Sequence, residues 1–544
     1  MTYQVILFAD TPSAEWLARG YGAYRLASEL RDKGYTVLTV DFSSTLTWEK
    51  YQQLIDLAVG PETLVVGFST TWFPYRNLNY RNPRYAVGPK STKQNARIDF
   101  DPETHAWYYD SLSYSFAMES PEKWANYARS RNNKLKVIVG GAKASEYALE
   151  KSIDNVFIGH SETMLPDYLE NFSRTNGRRI FGKVIDWDVK AQGHTFDFRK
   201  SSTHYADTDI MLKHDLGNME FTRGCIFNCT FCSYPHRNQK TKDYLKYKEV
   251  IRAELMENYE KWGITKYNII DDTFNDSVEK LELINEVIQS LPFKPRFWAY
   301  CRMDLFYKHP EMIQLMKDIG VAEIFYGLET WNDKTAKAIG KGGSIEMKKE
   351  CMRRARAIWG NDVYVTVGII MGLPYDTVES VEAAVEWFFD EGKNLVHWFN
   401  INAVTLYPPT PTTDLRSLSD IERNPEKWGY YWPDAEGDPL EWVKTDGSNI
   451  RTKSQADELM MKYQEMLYPH QARRRNHWWY SLHAASNPKL DFEYLRNCTD
   501  AEFDEAFGDY RPTDMYWNHV NNHYWPQLFE LLRTPKADIL ENRQ

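Results

Sequence analysis

Apolar and polar positions along the first part of the chain separate short strands from amphipathic helices. Gln4 to Ala9 reads as a buried strand, and Tyr21 to Lys33 places Tyr24, Leu26, Ala27 and Leu30 at helical spacing. Gly34 closes that helix and Tyr35 to Val40 is a second strand, followed by a helix over Trp48 to Leu57 and a strand over Thr63 to Phe68. A polar, aromatic insertion runs from about Pro74 to Asp110. A helix around Trp124 to Arg129, a strand Lys136 to Val139 closed by Gly140-Gly141, and a strand Asn155 to Ile158 ending at Gly159 come next. Strand–helix alternation of this kind predicts a parallel sheet wound by helices.

The alternation restarts at Gly217. Met219 to Thr222, Tyr267 to Ile270, Arg296 to Tyr300, Glu323 to Tyr326, Tyr364 to Ile370 and Trp398 to Leu406 are strand candidates, with helical stretches such as Lys248 to Lys261 and Val278 to Ser290 between them. Six such units predict a partial barrel of the TIM type, whose chemistry sits at the C-terminal ends of its strands. Beyond Pro411 the pattern fades into Trp-, Tyr-, Arg- and Asp-rich sequence with helical pieces such as Lys453 to Met466, read as a mostly helical domain.

Composition narrows the class. The 544 residues allow roughly three to four domains. With 42% apolar and 26% charged residues the chain is globular, not disordered. A net charge of −10 argues against a protein built around non-specific nucleic-acid binding. Met1 to Asp10 lacks the basic start of a signal peptide. The longest uncharged stretch, Asn394 to Thr413, carries Asn400, Asn402, His397 and three prolines, so it is no membrane span. The expectation is a soluble, cytoplasmic protein.

Of six cysteines, three fall within eight residues: Cys225, Cys229 and Cys232; Cys301, Cys351 and Cys498 are scattered. Thiols at i, i+4 and i+7, just past the first barrel strand, can wrap three irons of a four-iron–four-sulfur cluster, leaving the fourth iron open. A zinc knuckle completed by His236 or a distant cysteine is the alternative on spacing alone.

The Cys-x-x-x-Cys-x-aromatic-Cys arrangement, with Phe231 as the aromatic, resembles the radical S-adenosylmethionine superfamily. Later strand ends resemble its cobalamin-type members in turn. Asp271-Asp272-Thr273-Phe274 is similar to their "DDTF", Arg302-Met303-Asp304 to "R-x-D", and Gly327-Leu328-Glu329-Thr330 to "G-x-E-S", with Gly340-Lys341-Gly342 after it. Gly372-Leu373-Pro374 is similar to "GLPxET", and Tyr407 to Pro411 to "PGTP" with Pro409 in place of the glycine. The resemblance implies that the open iron chelates S-adenosylmethionine and that one electron cleaves it to a 5′-deoxyadenosyl radical. It places Phe231, Asp272, Arg302, Glu329, Gly372 and Leu373 around that cofactor. Read as chemistry, Asp272 and Glu329 can hold an ammonium or ribose hydroxyls, Arg302 can pair with a carboxylate, and Gly372 lets backbone approach a ligand. Loop caps and turns are the plainer alternative for any one of them.

The first domain resembles the cobalamin-binding domain that precedes the barrel in this subfamily. Gly20-Tyr21-Gly22-Ala23-Tyr24 is similar to "P-x-G-x-x-Y", and Ser69-Thr70-Thr71 ends the third strand where a family loop meets the corrin. Gly140-Gly141 is similar to "V-G-G-x-H", with Lys143 or Ala144 at the histidine position, and Gly159-His160-Ser161-Glu162 to "G-E-G-E". Asp-x-His-x-x-Gly is absent, which implies cobalamin without a histidine lower ligand. The alternative is a Rossmann domain that only packs or binds substrate.

The predicted organisation is α/β: a Rossmann-like cobalamin-binding-type domain over 1–175, a linker over 176–212, a partial (β/α)6 radical SAM barrel over 213–412 and a mostly helical substrate or cap domain over 413–544. The implied cofactors are a 4Fe-4S cluster, S-adenosylmethionine and cobalamin. The implied partners are a small-molecule or peptide substrate and an electron donor such as flavodoxin or ferredoxin, with no membrane or nucleic acid. The function expected is methylation of an unactivated carbon. A radical cyclisation, rearrangement or oxidation without methylcobalamin, or a non-enzymatic metal-binding protein, are the other readings. Arg473 to Tyr480 mixes basic and aromatic residues that could hold a nucleotide or anionic substrate, or form a solvated helix face.

Overall fold

The computed structural model describes residues 2–10, 19–70, 98–101, 106–109, 119–174, 182–186, 196–212, 215–234, 236–238, 244–411, 413–433, 440–467, 470, 502 and 519–534. The chain forms two compact units: 1–197 with 202–216 and 481–544, and 198–201 with 217–480.

In the first unit the chain runs β1 (Val5–Phe8), α1 (Tyr21–Asp32), β2 (Val37–Val40), α2 (Trp48–Ala58), β3 (Val65–Ser69), α3 (Pro121–Arg131), β4 (Lys136–Gly140), β5 (Asn155–Ile158), α4 (Ser161–Arg174) and β6 (Val184–Asp186). The six strands form one parallel sheet in the order β2-β1-β3-β4-β5-β6. Side chains alternate between its faces: Ile6 and Phe8 join one buried layer, Val5, Leu7 and Ala9 the other. The order reverses between β1 and β3, which opens a crevice at the strands' C-terminal ends. β6 went unrecognised in the sequence, being only three residues long. Within the predicted insertion, Ile98–Asp101 pairs with Ala106–Tyr109 as an antiparallel hairpin.

The second unit runs β7 (Gly217–Met219), α5 (Lys248–Trp262), β8 (Lys266–Ile269), α6 (Val278–Gln289), β9 (Arg296–Cys301), α7 (Glu311–Ile319), β10 (Val321–Glu329), α8 (Ile345–Trp359), β11 (Tyr364–Met371), α9 (Val378–Trp387) and β12 (Trp398–Ala403). All six strands are parallel and adjacent in chain order, the open (β/α)6 arrangement. Three of these helices, α6, α8 and α9, start on side-chain caps: Ser277 accepts from the Lys280 N–H, Ser344 from Met347, and Thr377 forms a reciprocal box with Ser380.

Residues 413–544, read from the sequence as one domain, distribute over both units. In the second unit lie a two-stranded ladder, Tyr430–Tyr431 with Val443–Lys444, and α10 (Lys453–Leu467). α11 (Trp525–Arg533) lies in the first unit, where Val520, Tyr524, Trp525, Leu528, Phe529 and Leu532 complete the layer around Phe8 and Phe68. Tyr524 Oη accepts from the Asp41 N–H at 2.8 Å, and the Trp525 indole donates to Thr45 Oγ1 at 2.8 Å. No described helix is long and apolar enough to cross a membrane.

Candidate active site

The three clustered cysteines sit on a loop stapled to its own returning segment. The Cys225 N–H donates to the His236 carbonyl at 3.0 Å, Asn238 N–H to Phe227 at 2.9 Å, and Arg237 Nη1 to the Cys232 carbonyl at 2.5 Å. Each sulfur has a polar neighbour of the kind that tunes iron–sulfur clusters. Cys225 Sγ is 3.5 Å from Thr273 Oγ1, Arg302 Nη1 is 3.9 Å from Cys229 Sγ, and the Tyr234 N–H donates to Cys232 Sγ at 3.4 Å. Burial pushes the Cys225 thiol up and the Cys232 thiol up to about 11, so ligation must release protons. Among the described residues, no three His, Cys, Asp or Glu side chains converge on the scale of a single metal ion. The donor set itself, three thiols within eight residues of one loop, fits an iron–sulfur cluster. Cys301 and Cys351 are buried as free thiols elsewhere in the unit. Cys498 and the Arg473 to Tyr480 run lie outside the described residues.

The two aspartates after β8 divide the work. Asp271 turns inward and accepts from the N–H groups of Phe221 (2.8 Å) and Thr222 (3.1 Å), the Thr222 hydroxyl (2.6 Å) and Lys280 Nζ (2.8 Å). It thereby fixes the entry of the cysteine loop to the neighbouring strand. Asp272 meets the Tyr234 hydroxyl; although the residue is exposed, desolvation by the surrounding protein pushes its carboxyl up to about 7.

Glu329 ends β10 at φ +68°, a left-handed conformation uncommon for a non-glycine residue. Its carboxylate lies 3.2 Å from Lys341 Nζ, which also donates to the Gly327 carbonyl at 2.8 Å. A side chain at Gly327 would collide with the Glu329 carboxylate, so the glycine of the "G-x-E" pattern makes room for its own acid. Phe231 is partly exposed on the cysteine loop.

Arg302 and Gly372 are each engaged by protein groups. The Arg302 guanidinium forks onto Asp304 and donates to the Lys341 carbonyl at 2.7 Å. Gly372, at φ +89°, is approached by protein: an added Cβ would stand 2.8 Å from the Trp442 ring. Tyr430 Oη donates to the Gly372 carbonyl at 2.6 Å, Lys444 Nζ to the Leu373 carbonyl at 2.7 Å, and the Gly372 N–H to Asp376 Oδ2 at 3.1 Å. Tyr430, Trp442 and Lys444 were missed in the sequence because they carry no motif and follow the barrel by tens of residues.

In the first unit Ser69, Thr70, Gly140, Gly141 and Gly159 all fall at the C-terminal ends of β3, β4 and β5, one edge of the sheet. The Thr70 N–H and hydroxyl both donate to the Gly140 carbonyl (2.7 and 2.8 Å), while Thr70 Oγ1 accepts from the Lys143 N–H at 3.2 Å. Gly141 (φ +97°) and Gly159 (φ +91°) turn the chain away from the edge. His160 packs edge-on to Phe196 with centroids 6.4 Å apart, Ser161 opens α4, and Glu162 is buried. Thr71 lies outside the described residues.

Residues 219–388, which include the three cysteines and the barrel strands β8 to β11, match the model of the Radical SAM superfamily. The hopanoid C-3 methylase of Methylococcus capsulatus is 23% identical over 346 residues, 60% of this chain and 64% of that protein. The hopanoid C-2 methylase of Rhodopseudomonas palustris is 27% identical over 278 residues, 47% of this chain and 51% of that one. The chain therefore spans less than two thirds of the length of these relatives. Among solved structures, the radical S-adenosylmethionine methyltransferase TsrM from Kitasatospora setae, with cobalamin and a 4Fe-4S cluster bound, superposes with a TM-score of 0.57 at 15% identity. That alignment covers 96% of this chain and all of TsrM, and it extends the shared fold from the barrel to the N-terminal sheet.

Proposed function

We propose that this chain is a cobalamin-dependent radical S-adenosylmethionine methyltransferase acting on an unactivated carbon of a small-molecule or peptide substrate, in the cytoplasm. The observation that carries the reading is the coincidence of three thiols within eight residues, on the loop after the first strand of a (β/α)6 barrel that matches the radical SAM model, with a flavodoxin-order parallel sheet in the same chain. When bound, the cluster and S-adenosylmethionine would supply one-electron cleavage and a radical, and cobalamin a transferable methyl group. Cys225, Cys229 and Cys232 would hold the cluster. Glu329, already against one ammonium, would take the cofactor's amino group. Asp272 would orient hydroxyls beside the cysteines, with Phe231 and the Gly372–Leu373 turn closing the pocket. Ser69, Thr70, Gly140, Gly141, Gly159, His160, Ser161 and Glu162 would line the corrin edge and tail, with no protein ligand to cobalt. An electron donor of the flavodoxin or ferredoxin class would supply the electron.

The test is anaerobic reconstitution with iron, sulfide and hydroxocobalamin, gel filtration, visible spectroscopy, and mass spectrometry of products from a host metabolite extract. Retained cobalamin and a product heavier by a methyl group are expected. A chain that retains iron and releases 5′-deoxyadenosine but holds no cobalamin would transfer the reading to a cyclisation or oxidation.

A further inference from the structure

Arg302 leaves β9 at its C-terminal end and is buried. Asn275 pins its backbone on both sides: the side-chain oxygen accepts from the Arg302 N–H at 2.8 Å, and the amide donates to the Arg302 carbonyl at 3.0 Å. Nε and Nη2 fork onto Asp304 at 3.2 and 2.7 Å, and Nη2 also reaches the Lys341 carbonyl at 2.7 Å. Nη1 points to Cys229 Sγ at 3.9 Å, and the guanidinium carbon stands 3.9 Å from the centre of the Phe227 ring. Four of the five N–H groups are therefore directed at protein atoms. The fork that grips a carboxylate bidentately is already spent on Asp304.

We propose that Arg302 is a positioning cation for the cluster, easing its one-electron reduction, and is not the clamp for the carboxylate of S-adenosylmethionine. This rests on the reading of Cys225, Cys229 and Cys232 as cluster ligands. In the step concerned, one electron leaves a reduced flavodoxin- or ferredoxin-type donor, which is oxidised, and enters the cluster, which is reduced; no covalent bond changes. The added negative charge arises beside a fixed buried cation, where low dielectric strengthens the attraction. Phe227 and Asn275 hold the cation in place, and Asp304 offsets part of its charge. Removing the cation and removing its counter-ion must then act with opposite sign, which a purely structural role does not produce.

The experiment is a redox titration of the anaerobically reconstituted full chain, followed by electron paramagnetic resonance, with iron, sulfide and cofactor affinity measured in parallel. Arg302→Gln is expected to keep wild-type iron and sulfide and to require a roughly tenfold higher ratio of reduced to oxidised mediator for half-reduction, a midpoint about 59 mV more negative. Asp304→Asn is expected to move the midpoint the other way, and Arg302→Lys to restore most of the wild-type value. Affinity for S-adenosylmethionine is expected to stay within about threefold, less than one charge-assisted hydrogen bond is worth. An unchanged midpoint in Arg302→Gln, or shifts of the same sign in Arg302→Gln and Asp304→Asn, overturns the proposal. So does a large loss of affinity at constant midpoint, which returns Arg302 to the cofactor. If Arg302→Gln holds no iron, Asp304→Asn decides: a rise supports the proposal and no rise overturns it. A wild-type chain that assembles no iron and sulfide instead overturns the cluster reading itself.

Discussion

Glu329 is kept in a backbone conformation that costs a side-chain-bearing residue roughly 1–2 kcal/mol. Its return is a carboxylate aimed at Lys341 across the space that Gly327 leaves free. An acid so placed is a receptor for an ammonium, so Glu329→Gln is expected to weaken S-adenosylmethionine binding to the reduced cluster by about tenfold or more, with iron content unchanged. Titration of the cofactor measures this, and an unchanged affinity removes Glu329 from the pocket. The thiols divide equally sharply. Cys225→Ala, Cys229→Ala and Cys232→Ala are each expected to abolish a stable cluster, whereas Cys301→Ala on β9 and Cys351→Ala on α8 are expected to retain it. Iron and sulfide analysis of the five variants distinguishes the sets.

The turn between β11 and α9 shows how an element can be fixed from outside the barrel. Gly372 combines a left-handed φ with an indole against its α-carbon, so Gly372→Ala is expected to destabilise the second unit by about 1–3 kcal/mol. In a Trp442→Ala background the added cost is expected to be smaller, because one of its two causes is gone. Thermal unfolding of the four chains tests this, and strict additivity contradicts it. Asp376 caps the same turn, and burial pushes its carboxyl up to about 6 from an ordinary 3.8. The folded chain thus holds this proton more tightly than the unfolded chain. The contribution to stability is present at low pH and is lost as pH rises from about 4 to about 6. Asp376→Asn is expected to lack that slope, as the difference in melting temperature from wild type across this range will show. The barrel strands and cysteine loop were legible because period, punctuation and thiol spacing are local signals. The ladder at Tyr430 and Val443 was not, because its role is set by what it touches: an indole filling a glycine's space leaves no trace in either residue's own neighbourhood. Arg302 was located by its strand end, but its partner could not be read, since Asp304 and a cofactor carboxylate offer an arginine the same geometry.

At the scale of the whole chain, the first unit is assembled from residues far apart in sequence. Trp525 is 1% exposed in the layer that covers one face of the N-terminal sheet. Trp525→Ala is expected to cost that unit about 3–5 kcal/mol, read as faster amide hydrogen exchange in β1 and β3, and wild-type exchange there would contradict it. α11 also bears on how the protein is made. The N-terminal sheet leaves the ribosome early, yet the helix that covers it is encoded after the entire barrel. At about 5–20 residues per second the interval is on the order of tens of seconds. Throughout that time the nascent sheet has α2 and α3 on this face but lacks the part of its apolar cover that 520–532 supplies, so production of this protein is expected to depend on chaperone capacity and on translation speed through the barrel. A premature stop before residue 520 would injure a domain whose sheet is translated before the barrel.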